Sequence, residues 1–264
     1  MSAPVVACDL DGVVWRGDEA IAPAAAGIAA LRAAGLCVAF VSNNSNSPVG
    51  EVVAKLDRMG VPATEAEVVT SATAAAWLLA QSLAPGARVL ACAGPGVREA
   101  LAHHGLVAVD DGPADAVVVG FHREFDYAGL DRASAAVRAG ARFVATNLDA
   151  TYPVPGGLIP GAGSLVAAVA TAAGAMPEVA GKPEAPTVGL IRERFGTTGV
   201  VVGDRPSTDG ALATAIGWPF ALVLSGVTAA VAPPGGEAIP DPAPPFVGAD
   251  LGALAPALIA SLTG

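Results

Sequence analysis

Short apolar runs alternate with longer segments of helical periodicity along most of the chain. Runs rich in strand-forming residues, such as 5–8 and 36–41, are separated by stretches in which apolar positions recur every three or four residues. Strands that are apolar at every position are buried on both faces, which is typical of a parallel sheet covered by helices. The pattern therefore predicts an α/β fold with a doubly wound parallel sheet.

The same criteria predict the remaining elements. Glycine and proline mark several of their ends, as at Gly35 and Pro48. The predicted strands cover residues 5–8, 36–41, 68–69, 89–93, 116–120, 143–146, 178–180, 200–203, 220–224 and a segment near 246. The predicted helices cover residues 23–34, 48–59, 71–82, 96–104, 127–139, 164–173, 183–195, 207–216 and 251–261. Residues 151–163 and 232–245 are rich in proline and glycine and are predicted to be loops.

Composition narrows the class of protein. The 264 residues are 53% hydrophobic and 14% charged, which argues against disorder. A formal net charge of −10 disfavours a nucleic-acid-binding protein, which needs a basic face. The apolar runs stop short of a membrane span, no secretory signal is evident, and the three cysteines lack paired spacing. We therefore expect a cytoplasmic protein with reduced thiols that binds neither nucleic acid nor membrane.

Polar side chains stand where apolar strands stop. Asp9 follows the first predicted strand, Ser42 the second, and Asp204 the strand at 200–203. In open α/β sheets, ligands bind beyond the carboxyl ends of the strands. We expect these three side chains to face a common crevice.

The sequence Asp9-Leu-Asp11-Gly places two carboxylates on the same side of an extended chain. Such carboxylates repel each other and need a cation or a raised pKa to coexist, and oxygen ligands favour Mg²⁺. An EF-hand is excluded because Val14 stands where its glycine belongs and Ala20 where its glutamate belongs. A solvated pair of carboxylates at a strand end is the structural alternative.

Other polar residues also have both a functional and a structural interpretation. Ser42 and Asn43, between a strand and a helix, can hold an oxyanion, but they are also ordinary turn residues. Lys182 lies between helix-breaking residues and is either a phosphate clamp or a solvated loop lysine. Asp209 can face the crevice or simply favour the dipole of its helix.

Taken in order, these motifs resemble those of the haloacid dehalogenase (HAD) superfamily. The matching stretches are residues 9–17, 40–45, 180–183 and 203–209, with further similarity at 145–147 and 160–164. The chain is most similar to the branch of p-nitrophenylphosphatases and phosphoglycolate–glycerol-phosphate phosphatases. The resemblance implies a Rossmann-like HAD core with an inserted, large α/β cap of the C2 type.

Some residues depart from the pattern of this branch. Ser42 stands where threonine is usual, and Pro206, Ser207 and Gly210 differ from the usual residues beside the last motif. The hydroxyl and both carboxylates are kept, so these departures concern the packing around the metal site.

The resemblance implies a role for each motif carboxylate. Asp9 would be the nucleophile that forms an aspartyl-phosphate, and Asp11 would protonate the leaving alcohol and then deprotonate water. Mg²⁺ would be held by Asp9, the main-chain carbonyl of Asp11, and Asp204. Asp209 would not bind the metal directly but would orient a metal-bound water or Lys182.

The resemblance also implies which residues bind phosphate and which regions form domains. Gly12, Ser42, Asn43 and Lys182 would hold the phosphoryl oxygens. Residues 1–77 and 177–264 would form the catalytic core, and residues 78–176 the cap. A homodimer through the cap is also implied. The candidate substrate-selecting residues of the cap are Asn147, Asp149, His122 and Arg123.

These inferences predict a Mg²⁺-dependent phosphatase for a small phosphorylated metabolite of the glycerol phosphate, phosphoglycolate, sugar phosphate or nucleotide type. The alternative is a catalytically weak HAD-fold protein that binds phosphate or a small molecule, or that has a regulatory role. A dinucleotide-binding oxidoreductase is disfavoured because Gly94 and Gly96 are followed by Glu99, where the third glycine of the fingerprint belongs.

Overall fold

The structure is a computed structural model, and it describes residues 3–154, 157–229 and 236–264. The chain divides into two compact units. The core unit comprises Met1–Ser42, Val52–Val69 and Val188–Gly264. The insert unit comprises Asn43–Glu51 and Thr70–Thr187. The predicted cap, residues 78–176, falls inside the insert unit, which extends beyond it on both sides.

Short strands and helices alternate through the described residues. The strands are, in chain order, β1 (Val5–Cys8), β2 (Trp15–Arg16), β3 (Glu19–Ala20), β4 (Cys37–Ser42), β5 (Val68–Thr70), β6 (Arg88–Cys92), β7 (Val107–Val109), β8 (Ala116–Val119), β9 (Arg142–Ala145), β10 (Thr151–Val154), β11 (Gly157–Pro160), β12 (Glu178–Val179), β13 (Gly199–Gly203), β14 (Phe220–Val223), β15 (Thr228–Ala229), β16 (Glu237–Ala238) and β17 (Phe246–Gly248).

The helices follow most of the longer strands. They are α1 (Ala22–Ala33), α2 (Val49–Arg58), α3 (Ser71–Ala80), α4 (Pro95–His103), α5 (Tyr127–Arg138), α6 (Ala162–Ala173), α7 (Ala185–Phe195), α8 (Ala211–Ile216) and α9 (Leu251–Thr263). A 3₁₀ turn at Glu65–Glu67 and a π-helical turn at Pro206–Gly210 complete the regular structure of the described chain.

The core unit is built on a sheet whose described strands follow the order β17-β14-β13-β1-β4-β5. β1 lies between β13 and β4 and is parallel to both, and β14 is parallel to β13 and β17. All residues of β1 and β13 are buried, as their apolar sequences require. The predicted doubly wound parallel sheet is confirmed. The strand order reverses beside β1, which is where ligands bind in such sheets.

Helices α1 and α9 pack closely against each other in this unit. Leu251, Leu254 and Leu258 form the buried stripe of α9 at helical spacing. A Cβ atom added to Gly27 of α1 would lie 3.0 Å from main-chain atoms of Leu251 and Gly252. The absence of a side chain at Gly27 therefore allows the two helix backbones to approach.

The insert unit has its own sheet, in which the described strands follow the order β12-β9-β8-β6-β7 and all pairings are parallel. Val117 and Val119 of β8 pack with Phe143 of β9 and with Val166 and Val169 of α6 in one buried cluster. The unit therefore has a hydrophobic core of its own, and the predicted inserted α/β domain is confirmed.

The prediction of a loop at 151–163 is wrong for most of that segment. β10 and β11 form an antiparallel hairpin in which Tyr152 pairs with Ile159, and α6 begins at Ala162. The prolines and glycines of this stretch outweighed its strand-forming residues, such as Thr151, Tyr152 and Ile159. The helix predicted at 207–216 is regular α-helix only from Ala211, after the π-helical turn.

Several very short strands had no detectable sequence signal, notably the β2–β3 hairpin and β7. The other predicted loop, 232–245, lies partly outside the described residues, and its described part contains the two-residue strand β16. Within the part of the chain that the structure describes, none of the helices combines the length and the apolar character that crossing a bilayer requires.

Candidate active site

Three buried carboxylates meet at the carboxyl edge of the core sheet. Asp9 follows β1, Asp204 follows β13, and Asp209 lies in the π-helical turn. Each offers a carboxylate oxygen, and these oxygens all lie within 4.8 Å of one another. Buried like charges at this separation repel strongly unless a cation neutralises them. The donor set, which is entirely carboxylate oxygen, suits a hard divalent cation.

The chain around Asp204 is shaped to hold its carboxylate. The main-chain N–H of Val227 donates to Asp204 Oδ2 at 2.7 Å, and the Thr228 hydroxyl donates to the Asp204 carbonyl at 2.5 Å. A Cβ atom at Gly12, where φ is +84°, would lie 2.4 Å from Asp204 Oδ2, and one at Gly226 would lie 1.8 Å away. Both glycines are therefore required by the close approach of this carboxylate.

Asp209 is held by the turn that contains it. Its Oδ2 accepts a hydrogen bond from the main-chain N–H of Arg205 at 3.1 Å. A Cβ atom at Gly203 would lie 2.2 Å from Asp209 Cγ, so the last residue of β13 must be small. Asp209 is almost completely buried, at 1% exposure. A helix-dipole role alone does not require burial of the carboxylate.

Three of the residues that depart from the related branch, Pro206, Ser207 and Gly210, lie within this turn. The Ser207 hydroxyl and main-chain N–H both donate to the Glu237 carboxylate, at 2.5 and 2.9 Å. A Cβ atom at Gly210 would lie 3.3 Å from the Phe220 ring, so the small residue leaves room for that ring. Ser207 and Gly210 are thus accommodated by their neighbours Glu237 and Phe220 within the core unit.

Ser42 and Asp11 occupy different environments in the core unit. Ser42 is buried at the end of β4, which pairs with β1, the strand that Asp9 follows. Asp11 is exposed, and its Oδ1 accepts a hydrogen bond from Trp15 Nε1 at 2.9 Å. The Asp11 side chain is therefore not part of the buried carboxylate cluster.

A second group of predicted residues comes together within the insert unit. Asn43 Oδ1 accepts a hydrogen bond from the Lys182 main-chain N–H at 2.8 Å, and Asn43 Nδ2 donates to the Lys182 carbonyl at 3.2 Å. Lys182 is 6% exposed. A Cβ atom at Gly181 would lie 2.5 Å from the Thr146 carbonyl oxygen and 2.6 Å from Asn43 Oδ1. A glycine before Lys182 therefore permits this close packing.

Two of the predicted substrate-selecting residues belong to the same network. Asn147 Nδ2 donates to the Asn43 carbonyl at 2.8 Å, and Asn147 Oδ1 accepts from the Asp149 main-chain N–H at 3.0 Å. Asn43 Nδ2 also lies 3.4 Å from Asp149 Oδ2, and the Ser71 hydroxyl donates to the Asn43 carbonyl at 2.7 Å. Asn43 is the common partner of these groups.

His122 and Arg123 lie in a separate cleft of the insert unit. The cleft has a volume of about 430 Å³ and is also lined by Arg98 and Arg132. Burial is the main cause that lowers the pKa of His122, which favours the neutral imidazole. Its ring meets that of Phe125 edge to face, with the centroids 6.0 Å apart.

The sequence assigns no role to Gly226, Val227 or Trp15, although Trp15 lies within the matching stretch 9–17. Gly226 and Val227 follow β14, and the strand-end criterion that selected Ser42 would also have selected this segment. The bond from Trp15 to Asp11 had no comparable signal, because it depends on how the chain turns after β1.

Family models match both ends of the chain. A model of haloacid dehalogenase-like hydrolases matches residues 6–107, and a HAD-hydrolase-like model matches residues 179–254. The predicted family is confirmed by these matches together with the relatives below.

Curated relatives match most of this chain. D-glycerol 3-phosphate phosphatase of Mycobacterium tuberculosis is 44% identical over 228 residues, which are 84% of this chain but 63% of that protein. The chain thus spans less than two thirds of this relative's length. The 5′-nucleotidase YutF of Bacillus subtilis is 35% identical over 223 residues, 83% of this chain and 86% of that protein.

A solved structure shows the same fold. The structure of a glycerol phosphate phosphatase from Mycobacterium tuberculosis in complex with magnesium has a TM-score of 0.84 and 38% sequence identity. The similarity covers 96% of this chain and 79% of that one.

Proposed function

Because the chain belongs to the haloacid dehalogenase-like hydrolases, we propose that it is a Mg²⁺-dependent phosphatase that hydrolyses a small phosphomonoester through an aspartyl-phosphate. The observation that carries this proposal is the buried cluster of Asp9, Asp204 and Asp209 at the carboxyl edge of the core sheet. The names of the relatives, a glycerol 3-phosphate phosphatase and a 5′-nucleotidase, support the same reaction class.

The cluster provides the oxygen ligands for the metal. Asp9 and Asp204, with the main-chain carbonyl of Asp11, would hold Mg²⁺, and Asp209 would orient the groups around it. When bound, Mg²⁺ neutralises negative charge on the phosphate and on the nucleophile. The hydrogen bond from the Val227 N–H fixes one oxygen of Asp204 and thereby sets the orientation of its carboxylate toward a cation.

Asp9 and Asp11 would divide the chemistry between them. An oxygen of Asp9 bonds to phosphorus while the ester P–O bond breaks, and Asp11 gives its proton to the departing alcohol. In the second step a water molecule gives a proton to Asp11, its oxygen bonds to phosphorus, and the bond from phosphorus to Asp9 breaks. Both carboxyl groups thereby return to their starting states, and inorganic phosphate is released.

The remaining predicted residues would bind and select the substrate. Gly12, Ser42, Asn43 and Lys182 would hold the phosphoryl oxygens, with Lys182 providing positive charge in an otherwise acidic protein. Residues 78–176 would act as the cap. Asn147 and Asp149 are hydrogen-bonded to Asn43, the partner of Lys182. They are therefore better placed to select the alcohol than His122 and Arg123.

The proposal also covers the setting in which the enzyme works. The small phosphorylated metabolite would be of the glycerol phosphate, phosphoglycolate, sugar phosphate or nucleotide type. A cytoplasmic location and a homodimer formed through the cap remain part of the proposal. Size-exclusion chromatography with light scattering would test the dimer.

The first experiment measures hydrolysis of p-nitrophenyl phosphate with Mg²⁺, with EDTA, and by two variants. Asp9→Asn removes the nucleophile with little change of volume, and Asp57→Asn makes the same substitution at an exposed position of α2. We expect Mg²⁺-dependent turnover that Asp57→Asn keeps and Asp9→Asn loses. Turnover by Asp9→Asn at the parent rate would contradict the proposal. A folded parent that binds phosphate but hydrolyses no phosphomonoester in a panel would favour the binding or regulatory alternative.

A further inference from the structure

We infer that Trp15 is a positioning residue that fixes the carboxylate of Asp11 for proton transfer to the leaving alcohol. The inference rests on the proposed function, in which Asp11 is the acid and base. Its basis is the 2.9 Å hydrogen bond from Trp15 Nε1 to Asp11 Oδ1. The donor belongs to a ring that is only 4% exposed, whereas the carboxylate that it holds is exposed.

The main chain fixes where the indole begins. The Gly12 N–H donates to the Trp15 carbonyl at 2.7 Å, and the Trp15 N–H donates to the Leu10 carbonyl at 3.2 Å. Asp11 and Trp15 also form an isolated bridge, and Trp15 opens the β2–β3 hairpin by pairing with Ala20. The chain therefore turns back on itself within four residues, which brings the indole N–H to the carboxylate.

A second contact fixes the plane of the ring. Lys55 Nζ lies 4.4 Å from the centroid of the Trp15 ring, which is a cation–π contact. The ammonium group is itself held by a 2.7 Å hydrogen bond to the Gly17 carbonyl and lies 3.7 Å from Asp18 Oδ1. The indole is thus fixed by its backbone and by Lys55, and its N–H can act as a rigid support for Asp11.

This support has a specific chemical consequence. An exposed carboxyl group samples several rotamers, and only some of them place an oxygen within reach of the leaving group. A donor that occupies Oδ1 restricts this rotation and leaves Oδ2 for the proton that is transferred. Proton transfer matters most when the leaving oxygen is strongly basic, as in an alkyl ester, and least for p-nitrophenolate, which departs without protonation.

The dependence on the leaving group provides the test. We would compare kcat/KM for p-nitrophenyl phosphate, an aryl ester, and for glycerol 3-phosphate, an alkyl ester. Both are measured in the parent and in Trp15→Phe, which keeps a ring and removes the N–H. A matched control is Trp218→Phe, which also removes one indole hydrogen bond, the 2.9 Å bond to the Thr197 carbonyl. Thr197 precedes β13 and so lies toward the opposite edge of the sheet from Asp204.

We expect Trp15→Phe to lower kcat/KM for the alkyl ester about tenfold more than for the aryl ester, within the range that general acid catalysis spans. Trp218→Phe should leave the ratio of the two substrates unchanged. Equal losses on both substrates in Trp15→Phe would mean that Trp15 has only a structural role and would overturn the inference. Failure of the proposed function is distinct, since the parent itself would then show no turnover.

A double-mutant cycle makes the dependence on Asp11 explicit. If Trp15 acts through this carboxylate, Trp15→Phe should have no further effect on the substrate ratio in an Asp11→Asn background. An undiminished effect in that background would overturn the inference. Should Trp15→Phe fold poorly, as judged by its thermal midpoint, Lys55→Met would loosen the ring instead and should shift the ratio in the same direction; no shift would count against the inference.

Discussion

The side-chain amide of Asn43 bonds to both polar atoms of the Lys182 main chain, accepting from its N–H at 2.8 Å and donating to its carbonyl at 3.2 Å. These two residues are 139 positions apart in the chain. Asn43 therefore holds the backbone of the predicted phosphate-binding lysine. Its side chain is engaged by the protein rather than directed solely to a ligand.

Asn43→Ala should weaken the binding of inorganic phosphate by releasing the Lys182 backbone. The loss of two hydrogen bonds, at about 1 kcal/mol each, corresponds to roughly a 10- to 100-fold lower affinity. The measurement is the rise in thermal midpoint with phosphate concentration. In a Lys182→Ala background the same substitution should have a smaller effect, because the part that acts through the Lys182 side chain is already lost. An equal loss in both backgrounds would show that Asn43 acts independently of Lys182.

The two later carboxylates of the cluster should differ in their effect on Mg²⁺ affinity. Asp204→Asn should lower the Mg²⁺ affinity by more than about 100-fold, because a direct ligand of the metal is lost. Asp209→Asn should lower it by about 10- to 100-fold, because Asp209 only orients the groups around the metal. Isothermal titration of the metal-free protein with Mg²⁺ measures both, with Asp57→Asn as the control. Equal losses would assign the two residues the same role and would contradict their proposed division.

The ion pair between Arg142 and Glu178 should make the stability of the insert unit depend on pH. Arg142 Nε and a terminal nitrogen donate to the two Glu178 oxygens at 2.6 and 2.7 Å, and this bonding is the main cause that lowers the pKa of Glu178. The pKa of Glu178 is lower in the folded protein than in the unfolded chain. The contribution of the ion pair to the free energy of unfolding is therefore complete above about pH 4.5, and it is lost as the pH falls through the folded-state pKa.

Thermal melts of the parent and of Glu178→Gln would measure this contribution. Both side chains are partly exposed, so the pair should contribute about 0.2–1 kcal/mol, a difference of at most a few degrees in thermal midpoint. The difference should be largest near neutral pH and should shrink in acid. Glu184→Gln, an exposed position, is the control. A difference that is the same at pH 3 and pH 7 would rule out the ion pair as its source.

The thiol of Cys92 should be inert in the folded protein. Burial is the main cause that raises its pKa to about 11, so the reactive thiolate is scarce at pH 8. Cys37 also has a pKa raised chiefly by burial, but it is partly exposed and should react with iodoacetamide first. Peptide mass spectrometry should find Cys92 alkylated only after unfolding in guanidinium. Modification of native Cys92 as fast as that of Cys37 would contradict this.

The positions of Asp9, Ser42 and Asp204 could be predicted because their signal is local. Each follows an apolar run, and a strand buried on both faces must end where a charged or strongly polar residue appears. Parallel pairing then brings these strand ends to one edge. The fold class and the meeting of these strand-end side chains could therefore be predicted from the order of the strands alone.

The rest of the site depends on contacts that no local pattern encodes. The bonds of Asn43 to Lys182 could not be predicted, because they form only when distant segments meet. The Trp15–Asp11 bond depends on β2–β3, whose two-residue strands are too short to show a period. The β10–β11 hairpin was missed for a different reason, since its prolines and glycines outweighed its strand-forming residues.

The central position of β1 has a consequence for the order in which the molecule assembles during translation. Its neighbours are β4, which follows within the same segment of chain, and β13, which is synthesised only after the whole of Thr70–Thr187. The ribosome therefore delivers the complete insert unit, which has a sheet of its own, before it delivers the strand that covers the other side of β1. Asp9 is made before the insert unit is complete, and Asp204 and Asp209 are made after it, so the charge cluster can form only once β13 and the turn that follows it have been synthesised.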